Sequence, residues 1–282
     1  MESKVVSVNK EDCNTCHRCI LACPTKFCNE DKEENGEGFI EVNPQSCIAC
    51  GECIKECPTQ TRTIEDDLEL FMKDIERGEK IVGIVAPSIV ANFPKNYLKI
   101  NSWLTNLGVK AVFDVSFGAE LTIKSYIDYI EKEKPKCLIS QPCPAVVTWI
   151  EEQKPELLDY LAPVDSPMGH TAKMVEEYYP QYRNHKIVAI SPCIAKKREF
   201  EETGLVDYNV TFAQLKDYFK ENNVNLFRYD KRGYDNPKPE RAVNFSSPGG
   251  LMKTLERERP DLIEKTRKIE GVPTVYEYLE DL

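Results

Sequence analysis

The sequence predicts an α+β module over residues 1–62 and an α/β domain with a largely parallel sheet over residues 81–282, joined by a helix over 63–80. Three observations carry this. Eight of the 12 cysteines fall in two copies of C-x2-C-x2-C-x3-C-P, 13-CNTCHRCILACP-24 and 47-CIACGECIKECP-58. From residue 81 onward, apolar runs of strand length alternate with helix-like segments, the rhythm of an α/β fold. A chain of 282 residues with 41% hydrophobic content has room for about two domains and at least one sizeable core.

Composition narrows the function classes. A formal charge of -10 argues against nucleic acid or anionic lipid as a main partner. The start, MESKVVSVNKEDC, has no apolar signal region, and no later run approaches the roughly 18 apolar residues of a membrane span, so a cytosolic protein without a membrane span is expected. In a reducing compartment the cysteines read as free thiols or metal ligands rather than disulfides.

The amino-terminal module is an internal repeat, 6-VSVNKEDCNTCHRC-19 echoed by 40-IEVNPQSCIACGEC-53. Each copy reads as a short strand, a ligand loop and a short helix ended by Cys-Pro, with too little apolar surface to fold without metal. The charged segment 29-NEDKEENGEGF-39 between them reads as an exposed loop. An iron-sulfur cubane takes three thiolates from one tight loop and a fourth from elsewhere, here the other half. Cys13, Cys16, Cys19 and Cys57 therefore hold one cluster, and Cys47, Cys50, Cys53 and Cys23 the second. Pro24 and Pro58 end the helices and turn the chain toward the partner half. Zinc also uses C-x2-C pairs, but the doubled four-cysteine pattern is far more specific. Cys28 lies outside the pattern, a spare thiol or an extra ligand, and His17 carries no assigned role.

The segment 64-IEDDLELFMKDIERGEK-80 has apolar residues near helical spacing, acids in its first turn and a glycine near its end, so it reads as the connecting helix. Strands are then predicted over 81–86 (IVGIVA), 111–115 (AVFDV), 137–140 (CLIS, with Cys137 in the core) and 187–191 (IVAIS), with a helix over 98–108. Functional loops of parallel sheets lie at the strands' carboxyl ends. These read APS, DVSFGAE, SQPCP and SPCIAKK, and two of the four carry a cysteine. His170 and His185 have no supporting pattern.

Residues 5 to 62 resemble the bacterial two-cluster [4Fe-4S] ferredoxin domain, which implies electron transfer. The strings 86-APSIV-90, 113-FDVSFGAELTI-123, 140-SQPCPAVVTWIE-151, 166-SPM-168, 191-SPCIAKKREFE-201 and 245-FSSPGGLMK-253 resemble, in that order, the catalytic domain of [FeFe] hydrogenases over residues 81 to 255. That resemblance implies a hydrogenase-like site holding an H-cluster, a cubane thiolate-bridged to a di-iron unit with CO and cyanide ligands. It places Cys143 and Cys193 as cubane ligands and Lys196 as a catalytic-site donor to a cyanide. Ala86, Pro87 and Ser88 match a loop lining the cofactor pocket, and Ser247, Pro248 and Gly249 a second. Read as residues alone, Cys143 and Cys193 also fit inert buried thiols, Lys196 a solvated lysine, and Gly249-Gly250 a helix start.

Departures from the family shape the functional expectation. Pro142 stands where a proton-relaying cysteine precedes the cubane ligand, and Tyr126 where a relay glutamate is expected, with Asp128 as a substitute. No cysteine follows Cys193, so a glycine-rich C-x3-C loop with two further ligands is missing, and the chain is expected to be truncated at its carboxyl end. The leading expectation is a divergent, sensory-type [FeFe] hydrogenase with electrons passing through two [4Fe-4S] clusters. Its partners would be a redox protein such as ferredoxin and the hydrogenase maturation machinery. A non-catalytic Fe-S scaffold and a plain electron carrier remain alternatives, and the oligomeric state is open.

Overall fold

The structure, a computed structural model, describes residues 5–140, 142–272 and 274–282; residues 1–4 of the first module, Gln141 of the 140–151 string and Pro273 lie outside the described residues. The amino-terminal part contains β1 (Val6–Val8), α1 (Arg18–Leu21), β2 (Asn29–Glu34), β3 (Glu37–Val42), α2 (Glu52–Lys55) and β4 (Arg62–Ile64). Strands β1 and β4 pair antiparallel, with Val6 opposite Ile64 and Val8 opposite Arg62, which closes the module by joining its two ends. The repeat is visible in three dimensions. Each copy runs strand, loop, four-residue helix and Cys-Pro, and each helix starts on a left-handed residue, His17 (φ 60°) or Gly51 (φ 83°).

The 29–39 segment differs from its expected loop: β2 and β3 form a six-residue antiparallel hairpin. Its turn is Asn35-Gly36, both at positive φ (55° and 86°), the pair that matches the right-handed twist of a tight hairpin. The strands are largely exposed apart from Asn29, Phe39, Ile40 and Val42, whose side chains anchor the hairpin to the module core.

After α3 (Leu68–Glu76) come β5 (Ile81–Val85), α4 (Ile89–Asn92), α5 (Tyr97–Leu107), β6 (Val112–Asp114), α6 (Val115–Glu133), α7 (Pro144–Gln153), α8 (Pro167–Tyr178), β7 (Lys186–Ser191), α9 (Lys196–Thr203), β8 (Tyr208–Thr211), α10 (Phe212–Glu221), α11 (Gly250–Glu258) and α12 (Thr274–Glu280). The strands form one parallel sheet in the order β6-β5-β7-β8. Every residue of β5 is buried, as a central strand covered on both faces requires. The chain winds from β5 outward to β6, then crosses back to lay β7 on the other side of β5. That reversal places a topological switch point at the carboxyl ends of β5 and β7, where open parallel sheets form their ligand crevice.

Two strand expectations need correction. Residues 137–140 form no strand: Ile139 makes a single parallel bridge to Leu161, and Cys137 is exposed, not core. Prolines at 135 and 142 flank that short run and limit the ladder it can join. Conversely β8, which is wholly buried, falls in a stretch whose apolar alternation is too short to mark it.

The linker is tied to the sheet edge by its acids. Asp66 accepts from the backbone N–H and hydroxyl of Thr211 (2.8 Å each), and Asp67 from Asn209 N (2.9 Å) and Lys197 Nζ (2.8 Å). Helices α6 and α8 pack so closely at Gly118 that a β-carbon there would lie 2.2 Å from the Pro167 carbonyl oxygen. The glycine of the FGA string and the SPM string are therefore two sides of one helix contact. Among the described residues no helix is long and apolar enough to cross a membrane.

Candidate metal centres

Both ligand loops of the module curl the same way. Thr15 (φ 51°) and His17 (60°) flank Cys16, and Ala49 (56°) and Gly51 (83°) flank Cys50. A non-glycine residue in this region costs about 1 kcal/mol. Alternating hands turn successive backbone N–H groups inward, a concavity that suits an anionic iron-sulfur core. Among the described residues no three His, Cys, Asp or Glu side chains converge on a single-ion site. Cys16 is exposed, Cys19 and Cys53 are buried, and the other five are half-buried.

The environment sorts these thiols. Burial pushes Cys50 up to about 12 and Cys53 up to about 11. Burial acts the same way on Cys57, but the hydroxyls of Thr61 (3.3 Å) and Thr59 (3.5 Å) outweigh it and bring the thiol down to about 7. The neighbouring Cys28 thiol, followed by backbone and side-chain donors, lowers Cys23 to about 6. Cys28 itself is driven upward by Cys23 and then Cys47, and its thiol donates to the Asn43 carbonyl at 3.9 Å. Burial also raises Cys19, against the pull of the Arg62 guanidinium, whose Nη2 donates to Cys19 Sγ at 3.1 Å.

The second centre lies at the switch point. Cys143 caps the start of α7, followed by Pro144 at the first helical position. Cys193 follows β7, its loop fixed by Ser191: Cys193 N donates to Ser191 Oγ (3.2 Å), which in turn donates to Asn209 Oδ1 (2.7 Å). Asn209 Nδ2 closes the ring on Cys193 O (3.0 Å). Burial, then the nearby Cys143, raise the Cys193 thiol, while Lys196 pulls it back. Lys196 is buried and donates to Glu199 Oε2 (2.5 Å) and to Pro142 O (3.2 Å). Glu199 also accepts from Ser166 Oγ. Of the loop after β5, Ala86 N is held by Ile190 O (3.0 Å), Pro87 is half-buried, and Ser88 Oγ is buried without a hydrogen-bond partner among the described residues. An orphaned hydroxyl at the crevice, two thiols and a buried ammonium form a donor set that fits an anionic metal group.

The two centres share one buried core. A single apolar cluster contains Cys19, Cys28 and Cys53 of the module together with Ala145, Trp149, Ile194, Ala195, Tyr276 and Leu279, and Cys143 and Cys193 pack against it. Trp149 Nε1 donates to the Pro24 carbonyl (3.3 Å), and its ring packs on Tyr276 at 5.4 Å between centroids. Burial raises the Tyr276 phenol first, and the charges of Cys143, Cys50, Cys193 and Cys23 raise it further, consistent with its place in the cluster these cysteines pack against. Cys23 and Cys50 thus pack against the same cluster as Cys143 and Cys193, while Cys16 is exposed.

Other predicted residues fall elsewhere. Ser247 Oγ bonds Asn244 O (2.6 Å) and Gly249 N bonds the Glu270 carboxylate, so Ser247, exposed Pro248 and Gly249 shape the start of α11. Tyr126 packs in a separate buried cluster with Ile123 and Leu255. Asp128 lies at the surface, paired with Lys124 (2.5 Å). His170, unassigned from sequence, bridges α6 and α8 through Thr122 (3.2 Å) and Ser125 (3.0 Å). Sequence reasoning also missed Arg62, Glu199, Asn209 and Tyr276. Glu199 alone had a local signal, its place three residues after Lys196 on one helix face.

Comparison with known proteins agrees with the fold and with an iron-sulfur module. Residues 79–278 match the family model "Iron only hydrogenase large subunit, C-terminal domain", and residues 12–61 match "4Fe-4S dicluster domain". The chain is 28% identical to iron hydrogenase 1 of Clostridium pasteurianum over 302 residues, covering 93% of this chain and 52% of that protein. It is 26% identical to protein NAR1 of Arabidopsis thaliana over 162 residues, covering 48% of this chain and 34% of that protein. The chain thus spans about half the length of the first relative and a third of the second. The fold superposes on an apo [FeFe]-hydrogenase of Chlamydomonas reinhardtii with a TM-score of 0.57 at 21% identity, over 74% of this chain and 62% of that one.

Proposed function

The chain belongs to the iron-only hydrogenase large subunit family, and on that premise we propose that it is an electron-transfer protein in which two [4Fe-4S] clusters feed an iron site at Cys143 and Cys193. The observation that carries this reading is the shared core: Trp149 and Tyr276 lie in one cluster against which Cys23, Cys50, Cys143 and Cys193 all pack. The proposed order runs inward, from the set of Cys13, Cys16, Cys19 and Cys57, in which Cys16 is exposed, to Cys47, Cys50, Cys53 and Cys23, and then to the crevice. In this reading residues 1–62 are the electron module, 63–80 the connector and 81–282 the domain that holds the destination.

When bound in such a crevice, an H-cluster supplies the reversible chemistry 2 H+ + 2 e- to H2. The chain's own residues would position it. Cys143 and Cys193 offer two thiolates, Ser88 an unused hydroxyl, and Lys196 the N–H left over from its bonds to Glu199 and Pro142. A desolvated anion favours such a charge-assisted donor.

The proton side supports a slow, sensory role. Pro142 has no transferable proton and its carbonyl is taken by Lys196, Tyr126 is packed in a core, and Asp128 is bound at the surface. A second reading, an Fe-S scaffold without di-iron chemistry, is favoured by the likeness to relatives described as cytosolic Fe-S cluster assembly factors. Anaerobic maturation with a di-iron cofactor separates the two. Infrared bands of bound CO and cyanide, lost in C143A and C193A, are expected for the first, and their absence refutes it. Redox partners such as a ferredoxin and a maturation system belong to the same proposal.

A further inference from the structure

Arg62 on β4 is 4% exposed, and its guanidinium faces the inside of the module. Its described partners are Asn29 Oδ1 (2.8 Å), Ile40 O (3.0 Å) and Cys19 Sγ (3.1 Å), none of them a carboxylate. Asn29 is itself buried and donates to Cys19 O (3.2 Å), so one amide orients both the cation and the ligand loop. Arginine stays charged at any pH a protein meets, and a buried cation without an anion costs several kcal/mol. The thiolate that its guanidinium touches is Cys19, at 3.1 Å.

We propose that Arg62 is the built-in counter-cation of the cluster at Cys19, donating to the Cys19 thiolate, so that it raises the reduction potential of that cluster. The inference rests on the assignment of the eight cysteines to two cubanes. One-electron reduction takes each thiolate-ligated core from about two negative charges to about three, with no proton moved, and the electron comes from a low-potential one-electron carrier protein. The extra charge is stabilised by a cation already desolvated and held in place, and hydrogen bonds to sulfur and local charge are the levers that set cluster potentials. A lone arginine in 61-TRTI-64 reads as a surface residue; only the fold turns it inward.

The test is an EPR-monitored redox titration of the anaerobically purified protein and its R62K and R62Q variants, with iron and sulfide counted in each. The reduced-to-oxidised ratio of one cluster at fixed potential should fall at least tenfold in R62Q, equal to 59 mV for a one-electron couple. R62K, which keeps the charge, should stay within threefold of the parent. An R62Q protein with full iron and unchanged potentials overturns the proposal while leaving the cubane assignment intact. Absence of cubane signals in the parent overturns both. If R62Q loses iron, the parent Arg62 is tested directly with guanidino-15N arginine in an R18K chain, which removes the exposed arginine beside Cys19. Weak 15N hyperfine coupling to the reduced cluster is expected, and its absence overturns the proposal.

Discussion

Trp149 is the residue on which the joint between the two centres depends most. Its side chain is 1% exposed, packs on Tyr276 at 5.4 Å and 46°, and reaches back 125 residues to bond the Pro24 carbonyl at 3.3 Å. W149A removes a buried indole at about 3–5 kcal/mol. W149F keeps most of the ring and deletes the hydrogen bond, at about 1–3 kcal/mol because the carbonyl is left unpaired. Anaerobic urea unfolding, followed together by cluster absorption and far-ultraviolet circular dichroism, checks both numbers. The parent is expected to lose both signals in one transition. In W149A the cluster colour should bleach at a lower urea concentration than the sheet melts, because the module has lost its footing on α7 and α12. An unchanged midpoint in W149A, or equal losses in W149A and W149F, would refute the reasoning.

Three further outcomes follow from single contacts. G118A places a methyl 2.2 Å from the Pro167 carbonyl oxygen, so α6 and α8 must separate, and thermal melts should show a loss of about 1–3 kcal/mol or more. The Asp74 carboxyl is held below its ordinary range by the Tyr208 hydroxyl (2.7 Å) and then by Lys186 (2.9 Å). Its contribution is therefore complete above the unfolded value near pH 4 and lost as pH falls through the folded one; D74N should be less stable than the parent at pH 7, and the gap should close in acid. Cluster loading should strengthen with pH: Cys23 at about 6 and Cys57 at about 7 ionise readily, whereas Cys50 at about 12 and Cys53 at about 11 must still release protons to bind iron. Reconstitution yields that stay flat from pH 6.5 to 8.5 would contradict this.

What could be read in advance was local. The doubled cysteine spacing marked the module because ligand geometry is written within a few residues, and the buried β5 and β7 announced themselves as unbroken apolar runs. The β2–β3 hairpin was hidden because its strands are mostly charged, although Asn35-Gly36 was a turn signal in plain view. The run at 137–140 had strand composition, but its single bridge at Ile139 and the exposed Cys137 show that composition without a neighbour makes no strand. Arg62, Tyr276 and Asn209 gain their places from partners far along the chain, such as Arg62 with Cys19, 43 residues away, which no spacing rule records. Lys196 is singled out by its string, and the Glu199 that holds it stands three residues on, a spacing that pairs them once α9 forms.

The central claim is that crossed thiolates hold two cubanes in one small module. The EPR spectrum of the anaerobically reduced protein, recorded with its iron content, tests it most directly. Two cubane signals broadened by mutual spin coupling, with about eight irons per module, are expected, and C57A should remove one signal and the coupling while leaving the other. A protein carrying zinc in place of iron, or one whose C57A variant instead loses the cluster at Cys47, Cys50 and Cys53, would contradict the account.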